Sequence, residues 1–192
     1  YSASKASSDH LAYSWHYSYE IPITISNCTN NFGKYQFPDK LIPKIIMKAL
    51  SNEKIPLYGN GLQIRDWLHV EDHIKAIIEI ILNGNIGETY CIGANNEKTN
   101  KDLTLEIFNI INSYNLGFKL NNSSIDYVKD RPGHDTRYAI DASKIKKDLN
   151  WSPIINFEDG LHSTVDWYLN NSQWCVEVMR KEGYRGERLG LI

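Results

Sequence analysis

Tyr1 and Lys5 are the first residues of the sequence whose types and spacing could do chemistry. The segment reads as a helix, and side chains four residues apart share one helical face. An ammonium beside a phenol favours the phenolate, so this pair can act as a general base that removes a hydroxyl proton during hydride transfer. The pair therefore predicts a helix that carries dehydrogenase chemistry.

A dehydrogenase also needs a glycine-rich turn that brings backbone N–H groups and a helix N-terminus onto the cofactor pyrophosphate. Neither G-x-G-x-x-G nor G-x-x-G-x-x-G occurs among the 192 residues, and the first residue is Tyr rather than Met. We therefore expect residues 1–192 to be the carboxyl-terminal part of a longer enzyme, without its amino-terminal, glycine-rich cofactor half. We expect this chain by itself to be inactive.

Composition excludes several classes of protein. With 42% hydrophobic and 23% charged residues, the chain is long enough for the core of one domain. A net charge of -2 gives no basic field, which argues against nucleic-acid or membrane partners and leaves local arginines to hold any anionic ligand. Cys28, Cys91 and Cys175 are widely spaced, so neither a disulfide framework nor a metal site is indicated, and a reducing cytoplasm is expected.

Hydrophobic periodicity and turn residues predict an α/β fold. Helices are predicted over 3–19, 39–50, 71–84, 102–111, 142–149 and 157–169, and strands over 23–26, 55–58, 64–70, 89–92, 125–128 and 138–140. Asp39 is expected to cap the second helix, and the aromatic residues of the first suit packing on more than one side. The polar run 27–31 follows a strand, where a ligand can be met.

Several segments resemble the extended short-chain dehydrogenase/reductase family. Residues 1–11 resemble its catalytic helix, and 27–33 resemble the loop after the next strand. The match continues through the segments 37–43, 65–72 and 95–100. Tyr-x-x-x-Lys and Arg-Asp-Trp are shared by nucleotide-sugar epimerases and decarboxylases, but the segment 130–135, followed by 138–141, resembles the narrower branch that dehydrates dTDP-sugars. The resemblance covers the whole chain, but only about the last half of a typical member.

The resemblance implies the carboxyl-terminal part of a Rossmann-type NAD(P)-binding fold, joined to a smaller mixed α/β lobe that binds the nucleotide sugar. It implies a homodimer when full length, and tightly bound NAD. The reaction implied begins with oxidation of dTDP-glucose at C4, followed by loss of water across C5 and C6 and return of the hydride to C6. The product is dTDP-4-keto-6-deoxyglucose, a precursor in rhamnose biosynthesis.

Site residues are implied by the same resemblance. Tyr1 would be the C4 base and Lys5 its electrostatic partner, both touching the cofactor, with Asn31 on the nicotinamide side. The implied substrate contacts are Asn30 at the sugar or phosphate, Lys40 and Leu41 at the nucleotide, Pro56, Leu57 and Tyr58 around the thymine, Arg65 and Arg131 at the diphosphate, and Asn100, Asp130, Pro132, Gly133 and His134 elsewhere in the nucleotide site. The family's acid and base for the elimination lie upstream of its catalytic Tyr and have no counterpart in this sequence.

Alternatives remain open at this point. Arg65 could form a surface ion pair with Asp66, and Arg131 with Asp130, each worth only ~0–1 kcal/mol. The polar residues at 27–31 could simply cap turns. The whole protein could be another nucleotide-sugar dehydratase or epimerase, and the chain could be a non-catalytic dTDP-binding unit.

Overall fold

Residues 2–184 are described by the computed structural model, and they form helices and strands in alternation. These residues contain seven α-helices, which are α1 (Ser2–Tyr19), α2 (Leu41–Leu50), α3 (Val70–Asn83), α4 (Asn100–Ser113), α5 (Ser143–Leu149), α6 (Phe157–Asn170) and α7 (Ser172–Lys181). They also contain eight strands, which are β1 (Ile25–Cys28), β2 (Asn30–Phe32), β3 (Ile55–Tyr58), β4 (Ile64–His69), β5 (Thr89–Ile92), β6 (Glu97–Thr99), β7 (Ile125–Val128) and β8 (Arg137–Tyr138). The predicted α/β class is confirmed.

The strands pair mostly in parallel. β1 pairs with β5, and β3 pairs with β7. β4 is the central strand of a larger sheet, where it pairs in parallel with β2 and β8 and antiparallel with β6. Residues 65–69 of β4 are all buried. Side chains that act at a site beside this sheet are therefore positioned largely by β4 and the strands that flank it.

The main core lies under α2. Ile42, Ile45, Ile46 and Ala49 recur at helical spacing and are fully buried against residues of α4, α6 and β3. Each of the three isoleucine side chains contributes about 1.5–3 kcal/mol through burial. A smaller core gathers residues of α3, β5 and α5 around Tyr90. The main core fixes α2 against the strands.

Several sequence predictions need correction. Asp39 does not cap α2, because the helix begins one residue later with Lys40 at the N-cap and no side-chain cap. Asp39 instead accepts a hydrogen bond from Lys40 Nζ at 3.0 Å. The first strand lies two residues further on than predicted, and the polar run 27–31 overlaps both β1 and β2. Helix α7 and the short polar strand β6 were not predicted.

Helix α1 differs from the other helices because none of its described residues is buried. Leu11 and Trp15 are 62% and 55% exposed, so the prediction that this helix packs on more than one side is wrong for the described chain. Hydrogen bonds connect it to the strands. One joins Tyr13 Oη with Thr89 Oγ1, and in another Asn27 Nδ2 donates to Asp9 Oδ2 at 3.5 Å. No helix within residues 2–184 combines the length and apolar composition needed to cross a membrane.

Candidate functional site

A cavity of about 360 Å³ opens where β2, α2, β3, β4 and the start of α4 meet the loop before β8. Its lining residues are Asn30, Asp39, Lys40, Leu41, Lys44, Pro56, Leu57, Tyr58, Arg65, Trp67, Asn100, Arg131 and His134. Ten of these are substrate contacts implied by the sequence resemblance, all except Asp39, Lys44 and Trp67. The fold thus brings residues from separate segments of the sequence to one cavity.

The cavity is lined by an excess of positive charge. Lys40, Lys44, Arg65 and Arg131 contribute four cations, against the single carboxylate of Asp39. Burial lowers the pKa of the Arg65 guanidinium, and the charge of Arg131 lowers it further, although Asp135 opposes both effects. An anion between the two arginines would relieve this repulsion. The arrangement therefore suits a ligand that carries phosphate.

Arg65 is held rigidly by backbone carbonyls. Its side chain is buried, and its two terminal nitrogens donate to Ile64 O at 2.6 Å and to Asp135 O at 2.9 Å. Asp66 points elsewhere, accepting from Ala94 N at 3.0 Å and Asn96 N at 2.7 Å. The alternative of an Arg65–Asp66 ion pair is therefore wrong within the described residues.

Asp130 does not line the cavity, but it is bonded to Arg131 and His134, which do. Its Oδ1 accepts from Arg131 N at 2.8 Å and from His134 Nδ1 at 2.7 Å, and its Oδ2 accepts from Gln63 Nε2 at 2.9 Å. Burial alone would raise the pKa of this carboxyl, but the hydrogen bonds from His134 and the Arg131 backbone outweigh it and hold the pKa below its usual value. No ion pair joins the Asp130 and Arg131 side chains in the described structure, so that alternative is wrong as well.

Two of the other implied contacts also lie outside the cavity lining. Pro132 and Gly133 are exposed at the tip of the loop, where the φ of +64° at Gly133 favours glycine. The sequence resemblance implied substrate contact for both. The structure instead gives them the turn that carries Arg131 and His134 to the cavity.

One wall of the cavity suits a flat ring. The burial pattern of β3 alternates, which turns Leu57 into the core and leaves Pro56 and Tyr58 half-exposed at the cavity. The Tyr58 ring lies edge-on to His134, with 6.0 Å between centroids. Asn100 Oδ1 is buried without a hydrogen-bond partner among the described residues, so it can accept from an N–H donor on a ligand.

The implied cofactor contacts lie on the other side of β2. Neighbouring side chains of a strand point to opposite faces, so Asn30 lines the cavity and Asn31 does not. Asn31 Nδ2 donates to Thr29 O at 3.1 Å and to Cys28 Sγ at 3.4 Å, while Asn31 Oδ1 is buried without a partner among the described residues. Burial raises the pKa of the Cys28 thiol, and the nearby Lys5 charge partly opposes this rise.

Lys5 and Asn31 therefore lie on the same side of the molecule, around Cys28. Tyr1 lies outside the described residues, so the position of the predicted base is not part of this geometry. Residues 2–184 contain no group of three or more His, Cys, Asp or Glu side chains placed to hold a metal ion.

Sequence reasoning missed four residues of this region. Lys44 follows Lys40 by one helical turn, and Trp67 follows Arg65 by two strand positions, so each could have been found from the spacing of a known contact. Asp39 was assigned a helix cap instead. The role of Gln63 depends on its contact with Asp130, which no local pattern in the sequence encodes.

Comparison with known proteins gives a consistent family. The family model described as GDP-mannose 4,6 dehydratase matches residues 1–164. A dTDP-glucose 4,6-dehydratase of Escherichia coli is 52% identical over 100% of this chain and 54% of its own length. One from Xanthomonas campestris pv. campestris is 49% identical over 99% of this chain and 54% of its own length. The chain thus spans about half the length of the curated relatives it matches.

Solved structures agree with this result. The dTDP-glucose 4,6-dehydratase of Bacillus anthracis, in complex with NAD, has a TM-score of 0.85 and 45% identity, over 93% of this chain and 54% of that one. The Streptomyces venezuelae enzyme, with NAD and TYD bound, has a TM-score of 0.86 and 40% identity, and the match covers 91% of this chain and 52% of that one. A UDP-glucuronic acid 4-epimerase of Bacillus cereus is more distant, with a TM-score of 0.77 and 25% identity. That match covers 88% of this chain and 52% of the epimerase.

Proposed function

The chain belongs to the GDP-mannose 4,6 dehydratase family, and we propose that it forms the substrate-binding part of a dTDP-glucose 4,6-dehydratase. Residues 1–192 would comprise the end of a Rossmann-type sheet and the nucleotide-sugar lobe. The observation that carries the proposal is the meeting of ten implied substrate contacts, from separate segments, at one cationic cavity. The reaction proposed converts dTDP-glucose to dTDP-4-keto-6-deoxyglucose and water.

The cavity supplies a separate contact for each part of the nucleotide. Arg65 and Arg131 bind the diphosphate, because a guanidinium fork matches phosphate oxygens in geometry and charge. Pro56 and Tyr58 flank the thymine ring. Asn100 Oδ1, which is buried without a partner among the described residues, accepts the single ring N–H of thymine. Because the glucose is attached to the diphosphate, this arrangement directs it away from the thymine end of the cavity, towards Asn30.

Proton transfer is assigned to Tyr1 and Lys5, as the sequence resemblance implies. Tyr1 takes the proton from the C4 hydroxyl, and the Lys5 ammonium favours its phenolate. Asn31 fits the amide of a nicotinamide, because its buried Oδ1 lacks a partner in the described chain and can accept an amide N–H. NAD, when bound, accepts the hydride from C4 and returns it to C6. Location in the cytoplasm and assembly as a homodimer remain predictions.

A nucleotide-sugar epimerase is the second candidate. The similarity to a UDP-glucuronic acid 4-epimerase at 25% identity favours it, since that protein shares the fold. The higher identity to dTDP-glucose 4,6-dehydratases supports dehydration instead.

Mass spectrometry of the product separates these functions. Protein made from the complete reading frame would be incubated with NAD and, in parallel, with dTDP-glucose, UDP-glucose or GDP-mannose. We expect loss of one water from dTDP-glucose only. An unchanged mass, with an inverted hydroxyl seen in the proton NMR spectrum, would indicate an epimerase. Preference for UDP-glucose or GDP-mannose would contradict the proposed substrate.

A further inference from the structure

The hydrogen bond between His134 and Asp130 fixes which ring nitrogen of the histidine carries a proton. The His134 side chain is 6% exposed, and its Nδ1 lies 2.7 Å from Asp130 Oδ1. An ionised carboxylate only accepts hydrogen bonds, so Nδ1 is the donor. His134 lines the cavity whereas Asp130 does not, and the hydrogen bond to Asp130 occupies Nδ1. Nε2 is therefore the polar atom that the ring can offer to a ligand.

Asp130 itself is held in place by its neighbours. Gln63 Nε2 donates to its Oδ2 at 2.9 Å, and the Gln63 side chain is buried at the start of β4. Gly59, with a φ of +58°, passes so close that a Cβ there would lie 2.8 Å from Asp130 Oδ2 and 3.2 Å from Gln63 Nε2. The Gly59 backbone therefore packs against the contact between Asp130 and Gln63, and a larger residue there would disturb it.

Gln63 also connects the two ends of the cavity. Its backbone carbonyl accepts from Asn100 N at 3.0 Å, at the end proposed to bind the base. Its side chain holds Asp130, which in turn accepts from the Arg131 backbone N–H at the diphosphate end. One residue outside the cavity lining thus sets the position of groups at both ends.

We propose that Gln63 and Asp130 are positioning residues, which hold His134 so that its Nε2 donates to the diphosphate beside Arg65 and Arg131. The inference rests on the proposed function, because it takes a nucleoside diphosphate as the ligand. A phosphate oxygen only accepts, so in the complex both ring nitrogens of His134 carry protons and the imidazolium lies between two anions. Asp130 was implied by sequence to touch substrate; here it acts through His134 and the Arg131 backbone.

The charge of Asp130 can be tested with an isosteric change. In Asp130→Asn the new amide N–H₂ can face Gln63, whose Oε1 is buried without a partner in the described chain and can accept after its own amide turns. The geometry should then survive while the negative charge behind His134 is lost. Asp141→Asn is the matched control, because Asp141 also accepts a backbone N–H, from Ser143 at 2.8 Å, but does not line the cavity.

Calorimetry with dTDP and thymidine, using protein from the complete reading frame, gives the first readout. Asp130→Asn should weaken dTDP binding by roughly ten- to a hundredfold, and Gln63→Leu by roughly fivefold, with thymidine binding and the Asp141→Asn control unchanged. If the Asp130 variant did not fold, Gln63→Leu would decide alone. Equal weakening of dTDP and thymidine in both variants would overturn the inference.

The nitrogen-15 spectrum of His134 in the dTDP complex gives a second readout that a purely structural role would not change. We expect the Nδ1–H resonance of the parent to shift in Asp130→Asn, because a neutral amide oxygen is a weaker acceptor than a carboxylate. An unchanged Nδ1–H resonance in Asp130→Asn, or dTDP affinity within twofold of the parent in both variants, would show that Asp130 and Gln63 do not position His134. Failure of the parent itself to bind dTDP would instead overturn the proposed function, and the inference with it.

Discussion

The two groups of predicted site residues differ in how firmly the chain holds them. At the cavity, Arg65 is buried and donates to two carbonyls, and His134 is locked to a carboxylate that is itself anchored. At the other side of β2, Lys5 is exposed on a helix with no buried residue in the described chain. Under the proposed function, the contrast teaches that binding of the nucleotide and proton transfer are supported by separate parts of the fold. They should therefore respond separately to substitution.

Tyr1→Phe should give the largest effect, and only on chemistry. The change removes the proton acceptor with almost no change in volume, so turnover of dTDP-glucose should fall by roughly 10²–10⁴-fold. Affinity for dTDP should stay within twofold, because the cavity lies across β2 from the cofactor-side residues. Steady-state kinetics and calorimetry on protein from the complete reading frame check both halves. Turnover of the Tyr1→Phe variant at the parental rate would show that Tyr1 is not the base.

Asp66→Ala tests how firmly the cavity side is held. Asp66 is 1% exposed and accepts two backbone N–H groups, which would be left buried and unsatisfied. The free energy of unfolding should fall by about 2–4 kcal/mol. Asp126→Ala, at an exposed position of β7, is the matched control and should change stability by about 0.5 kcal/mol or less. Similar denaturation midpoints for the two variants would contradict this account.

Arg65→Ala and Arg131→Ala test the basic end of the cavity. Each should weaken dTDP binding by about 1.5–3 kcal/mol, the worth of a hydrogen bond to a charged group, while thymidine binding hardly changes. Arg137→Ala is the control, since Arg137 is exposed and bonds Glu97 rather than the cavity. Equal losses for dTDP and thymidine would show that the arginines do not select the diphosphate.

Leu11→Ala should have the smallest effect of these substitutions, and it tests the contrast at α1 rather than at the cavity. Leu11 is 62% exposed, so the free energy of unfolding of this chain should change by about 0.5 kcal/mol or less. Ile45→Ala, at a site 1% exposed in α2, should cost about 2–5 kcal/mol. A large loss of stability from Leu11→Ala would mean that α1 is packed in solution.

Segments with a strong local pattern were predicted well from the sequence. The strands β3, β5 and β7 begin and end at the predicted residues, because apolar or β-branched runs bounded by turn residues carry a local signal. β6 was missed because Glu97, Lys98 and Thr99 are polar and form a strand only through pairing with β4. Local pattern gives no information about such a pairing.

The site residues divide in the same way, into those with a signal in the sequence and those without one. Ten of the thirteen cavity-lining residues were found because the sequence resembles a known family in the segments that supply them. The hydrogen bonds that Asp66 accepts and the contact between Gln63 and Asp130 were not, since these partners lie 28 or more residues apart and carry no spacing signal. The exposure of α1 was also missed, because its aromatic residues are spread around the helix and do not mark one buried face.

A crystal structure of the protein with dTDP bound tests the central claim most directly. The account predicts dTDP in the cavity between α2 and β4, with its diphosphate between Arg65 and Arg131 and its thymine between Pro56 and Tyr58. A dTDP molecule bound elsewhere, or in the reverse orientation with its base at the arginines, would contradict it.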